Sequence, residues 1–148
     1  MQSPAKWVQA YLIAAGGAVA VVPATPVDWM CYVGAMPDGP DVPDNAVATY
    51  DIAGRRQGRI QRTGESIGQP GVQIKVRASD RTACYTKIQS IALLLDAARR
   101  NALTVGGDKA TLSSVTRDQP ISIGPVPGNR VRFAYTLNMT IVLLPATP

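Results

Sequence analysis

Four arginines fall within one short polar stretch, Arg55, Arg56, Arg59 and Arg62, with only Glu65 nearby to offset them. Guanidinium groups take carboxylates and phosphates in bidentate fashion, so the cluster suits contact with a partner subunit or, less well, with a nucleic-acid backbone, a plain solvated loop being the remaining reading. No aromatic residue is interleaved with it, which argues against a stacking platform for single-stranded bases. Asp38, Asp41 and Asp44 recur at three-residue spacing. Pro37, Pro40 and Pro43 set their backbone apart from a calcium-wrapping loop, so they read as solvated turn carboxylates that an adjacent copy's arginines could meet.

Other chemistry is thinly provided. There is no histidine, which removes Ser-His-Asp and Cys-His nucleophile systems, imidazole metal sites and the usual general base near neutral pH. Glu65 is the only glutamate, so paired-carboxylate hydrolysis has little support. No phosphate loop, GxGxxG turn, GxSxG elbow or HExxH helix occurs. Cys31 and Cys84 lie far apart without a CxxC or further zinc ligands, and read as buried, unpaired thiols. The residues indicate no enzyme, no metal and no cofactor.

The elements that must position these residues follow from periodicity. Ser3 and Pro4 open a helix on which Trp7, Val8, Tyr11, Leu12 and Ala15 follow helical spacing, and Gly16-Gly17 ends it. This explains the apolar start better than a secretory signal, whose basic region would be a single lysine, Lys6. Gln9, the glycine pair and Pro23 interrupt the run before a membrane span could accumulate. Trp29 to Val33 and Ala46 to Ile52 read as strands, joined by a proline-stiffened turn. Residues 53–70 read as a long loop or an extended hairpin arm. Val72, Ile74 and Val76 alternate with polar residues as a half-buried strand.

Ser79 or Asp80 then caps a helix with Cys84, Ile88, Ile91, Ala92 and Leu95 on one face. Leu93 falls on its polar side and marks a possible contact with another subunit. Short strands fit Ala110 to Thr116 and Ile121 to Ile123, and the longest runs from Val131 to Leu143. The expected fold is α+β, one domain over residues 1–148, with a single mixed or antiparallel β-sheet packed on one side by two α-helices and an arm or hairpin at about 53–70. Val72, Ile74 and Val76 should share a core with Ile88, Ile91 and Leu95.

The net charge of +5 is unevenly placed. Residues 1–51 hold one lysine and five aspartates, a balance of −4, and the remainder carries +9. An acidic region and a basic region on one molecule suit head-to-tail association of identical copies as well as nucleic-acid contact.

Tyr32-Val33-Gly34-Ala35-Met36-Pro37-Asp38, Pro43-Asp44-Asn45-Ala46, Tyr50-Asp51 and Pro70-Gly71-Val72-Gln73-Ile74-Lys75-Val76-Arg77 together resemble the minor capsid and tail-terminator proteins of tailed bacteriophages. Tyr85, Lys87, Ile91 and Leu95 extend the likeness. The resemblance implies a structural virion protein of the tail or neck, assembled in the host cytoplasm. It implies a homo-oligomeric ring, a hexamer, that caps the tail tube and joins it to the head-tail connector or stopper protein, with DNA passing through the lumen. The family brings no catalytic residues to place. A basic nucleic-acid-binding module, another neck component and an exported protein are the competing readings.

Overall fold

The computed structural model describes residues 2–22, 25–59, 66–126, 128 and 130–145, and the side chains of all of these except 56–59, 66 and 67. Among them are two helices and seven strands: α1 (Pro4–Ala14), β1 (Met30–Val33), β2 (Ala46–Arg59), β3 (Ser66–Ala78), α2 (Arg81–Asp96), β4 (Asn101–Val105), β5 (Asp108–Arg117), β6 (Ile121–Val126) and β7 (Arg132–Pro145).

The strands form one sheet in the order β1-β2-β3-β7-β5-β4. β1 and β2 are parallel and the other pairs antiparallel. β6 joins β7 along Arg132–Thr136, and β5 takes β7 from Met139 to Pro145. The two therefore lie end to end beside one long strand.

The α+β expectation of a single sheet packed on one side by two helices is overturned. The chain is mostly β, and its sheet curls into a half-barrel. α1 touches β1, β2 and β3 and also β4 at the opposite edge of the sheet, which requires the sheet to curl. Length and irregularity account for the curvature: β2, β3 and β7 run 14, 13 and 14 residues, far enough for twist to accumulate. Register breaks at Ile52/Arg55, Leu112/Ser114 and Ser122/Gly124 bend the strands further.

The core is the one the periodicities predict. Val72, Ile74 and Val76 lie in one apolar cluster with Ile88, Ile91 and Leu95, joined by Leu137, Met139 and Ile141 of β7 and Trp7, Val8 and Leu12 of α1. Asp80 caps α2, accepting from the Ala83 N–H at 2.8 Å. Ser3 stands at the N-cap of α1 without a side-chain bond. Its place is taken from a distance: Asp51 Oδ1 on β2 accepts from the Ala5 N–H at 2.8 Å, and Thr49 Oγ1 donates to the Ala5 carbonyl at 3.0 Å. One strand thus pins the first turn of the helix.

Residues 53–70 are a hairpin through the described part. The β2–β3 ladder continues to Arg59↔Ser66. β3 pairs with β7 only as far as Gly71↔Thr140, although β3 reaches back to Ser66 and β7 on to Pro145. Past Gly71 the sheet forks, one limb being the β2–β3 ribbon and the other the end of β7 with β5.

The crotch of the fork is built from small or donor-free residues. Ala53 and Gly54 bulge opposite Pro70, which has no N–H to offer β7. A Cβ on Gly54 would strike the Gln69 carbonyl oxygen, and one on Gly71 would strike that of Ala53. Gly68, further out, has open space. Gly71→Ala should therefore cost about 1–3 kcal/mol in urea unfolding, the usual range for forced overpacking. Gly68→Ala should stay near wild type, and equal losses in both would remove the close approach as the cause.

Candidate assembly surface

Two of the three aspartates of the 34–45 connection, Asp38 and Asp44, meet arginines of their own chain. Arg132, at the start of β7, is 2% exposed and grips Asp38 with both terminal nitrogens, at 2.8 and 3.1 Å. Arg130 lies 3.0 Å from Asp44 and donates to the Gly39 carbonyl at 2.6 Å. Arg77 on β3, 3% exposed, donates to the carbonyls of Asp44, Pro37 and Pro43 at 3.1, 3.1 and 3.2 Å. Asp41 is exposed.

A bidentate fork suits this task better than a lysine would, because several acceptors in fixed directions are satisfied at once. The Arg132 guanidinium, by its hydrogen bonds, holds the Asp38 carboxyl below its ordinary range. Arg77, Arg130 and Arg132 were not singled out as site residues by the sequence reading. Arginine on a strand opposite a proline- and aspartate-rich turn was the signal that could have found them.

The ribbon carries the other arginines. Arg55 is exposed, next to the bulge. The backbones of Arg56 and Arg59 belong to β2, paired with Gly68 and Ser66, while their side chains, and all of Arg62, lie outside the described residues. At the crotch a cleft of about 180 Å³ is lined by Ile52, Ala53 and Arg55 on one side and by Thr116, Asp118 and Thr140 on the other. The fold therefore separates the two charged sets that the sequence suggested might meet: Asp38 and Asp44 are engaged locally by Arg130 and Arg132, and the ribbon leaves the sheet elsewhere. Leu93 stands on the outer face of α2, 69% exposed.

Lys87 of α2 sits over the Trp29 ring at 5.1 Å, and burial lowers its pKa. Trp29 has φ +66, uncommon for a bulky residue. Cys31 and Cys84 are free and buried. Burial pushes their thiols up to about 12 and about 11. Among the described residues no three His, Cys, Asp or Glu side chains are grouped to hold a metal, and no helix is long and apolar enough to cross a membrane.

What the fold presents is a sheet with a split end, exposed apolar side chains and fixed loops, an architecture of contact surfaces. A sequence model of the family described as bacteriophage tail terminator protein matches residues 11–144. The chain belongs to that family, and so is a structural protein of the phage tail and a component of the virion. No curated protein matches it. Among the solved structures that match, one aligns with 97% of this chain and 90% of its own at 15% identity and a TM-score of 0.36.

Two outcomes follow from these surroundings. Because the Asp38 pKa is depressed in the folded chain, its contact with Arg132 stabilises above the ordinary carboxylate pKa and is lost as pH falls through the folded value. Thermal unfolding followed down through acid pH should show this loss in the wild type and a flatter profile in Asp38→Asn; identical profiles would count against the contact. Cys31 and Cys84 should resist iodoacetamide at pH 8 in the native protein and react on denaturation, since the thiolate is the nucleophile. Mass spectrometry reads both states.

Proposed function

We propose that this chain is a ring-forming tail terminator: copies of it, six in the reading offered here, close into a ring that caps the tail tube and joins it to the head connector or stopper. DNA passes through the lumen without sequence recognition. The observation that carries the reading is the family match over residues 11–144. The chain works by contact and not by catalysis, in keeping with the lack of histidine and the single glutamate. Its place is the tail-neck junction of the particle, assembled in the host cytoplasm.

In this reading the ribbon is the assembly element. Four arginines at positions 55, 56, 59 and 62 and the glycines beside them offer little apolar surface in their composition, so a neighbour is needed to offset the entropy of fixing them. With Asp38 and Asp44 already held by Arg132 and Arg130, exposed Asp41 is the member of the set best placed for an adjacent subunit. Exposed ion pairs contribute up to about 1 kcal/mol each, so several must act together around the ring. Leu93 supplies an apolar contact on the same terms.

Serine at all four positions, Arg55, Arg56, Arg59 and Arg62, should lower incorporation into particles and leave the unfolding temperature of the isolated chain nearly unchanged. Unimpaired incorporation would make the ribbon a passive loop. Salt-dependent DNA binding by the isolated wild type, lost in the same variant, would favour the nucleic-acid-binding reading instead.

A further inference from the structure

The fork leaves two strand edges facing each other without pairing. Beyond Gly71↔Thr140, residues 66–69 of β3 remain paired with β2, Pro70 standing opposite the bulge, and residues 141–145 of β7 remain paired with β5, but the two limbs take no register with one another. Backbone N–H and C=O groups on such edges need water or another chain. Exposed edges are usually blunted by lysine, proline or a bulge. The β7 limb reads Ile141-Val142-Leu143-Leu144, uncharged and free of proline until Pro145, and Leu144 is 49% exposed. Five residues of strand span roughly 17 Å, room for one short extended segment.

The chain holds a segment of that character at its other side. Val19 makes one parallel bridge to Met30, its N–H donating to the Trp29 carbonyl at 2.9 Å and its carbonyl accepting from the Cys31 N–H at 2.8 Å, so that β1 holds one side of the segment and leaves the other free. Beyond it Ala20, Val21 and Val22 take no further part in the sheet; Val22 gives its N–H to the Met30 sulfur, a weak acceptor, at 3.4 Å, and its carbonyl accepts from the Thr25 N–H at 3.1 Å. Val19, Val21 and Val22 are 41%, 37% and 49% exposed, although β-branched residues of this kind favour strands. The segment cannot serve its own fork: it lies outside β1, four strand spacings or roughly 19 Å along the sheet from β7.

Charge favours the same match between copies. No lysine or arginine occurs between Lys6 and Arg55, and Asp28 close to the valines is exposed. The fork is bounded by the arginine-bearing ribbon, with Arg55 exposed at its crotch. An acidic donor side and a basic acceptor side draw unlike surfaces together and keep like surfaces apart.

We propose that the fork between the ribbon and the end of β7 is a docking slot for the Val19–Val22 segment of a second copy, which joins the open β7 edge through the side that its own β1 leaves free. The contact is head-to-tail, the kind that closes into a ring when the rotation per copy allows. It deepens the ring reading by naming the surfaces that meet, and rests on that reading only for closure.

The test uses two full-length variants, Val21→Cys and Leu144→Cys, mixed under mild oxidation; the native thiols are buried and do not compete. A disulfide-linked dimer should form in the mixture and in neither variant alone. Leu144→Lys and Val21→Lys should each reduce the mass measured by light scattering to that of one chain, with little change in unfolding temperature, since both side chains are partly exposed already. An oligomer that survives both lysine variants would overturn the slot and leave the ring standing. A wild type monomeric at every concentration would overturn both. Cross-linking of Leu144→Cys to itself would assign the edge to symmetric β7–β7 pairing, and overturn the proposal. So would a Leu144→Lys chain that still oligomerises but fails to enter particles, which would give the slot to a different partner.

Discussion

Eight residues of β3 pair with eight of β7, from Ala78↔Phe133 to Gly71↔Thr140, and most of the molecule is arranged by that ladder. On one face it sets Val72, Ile74 and Val76 beside Leu137 and Met139, making the apolar surface on which α2 lies. At one end it brings Arg77 and Arg132 to the connection they hold. At the other it stops, and where it stops the sheet divides. A β-ladder is cooperative along its length, so a residue that cannot donate, or a bulge that shifts the pairing, ends it for both strands. Pro70 and the Ala53–Gly54 bulge do this together.

The apolar elements were legible in the sequence because each obeys one periodicity. Cys84, Ile88, Ile91, Ala92 and Leu95 are the buried residues of α2, and Asp80 caps it. Val131 to Leu143 anticipates β7 to within two residues at its C-terminus. The continuation of β2 from Ala53 to Arg59 was less legible, since a ribbon outside the core has no apolar face to alternate. β4 was missed because Gly106-Gly107 reads as a break. Both glycines have positive φ, +57 and +88, and form the two-residue turn between paired strands β4 and β5; Leu103 and Val105 before them were the overlooked half of that signal.

The expected α+β layering failed for a different reason. Periodicity reports which face of an element is apolar and is silent on how far a sheet curls, and here long strands and bulges bring both edges to α1. The candidate surface was visible only as composition. Arginines and aspartates could be counted, but which would meet was decided by tertiary folding: Asp44 and Asp38 went to Arg130 and Arg132, far away in the chain, Asp41 stayed exposed, and Arg55 went to the fork.

Arg77 has a further consequence. Its three bonds go to main-chain oxygens of Pro37, Pro43 and Asp44, groups that every amino acid supplies alike. The anchor therefore recognises the path of the connection and is blind to the side chains along it. Residues at the tip, such as Asp41 and Val42, can be exchanged without loosening that hold, whereas the arginine itself cannot. A tail component with such a mooring can alter the chemistry it presents to a neighbour, one residue at a time, while the scaffold beneath keeps its shape.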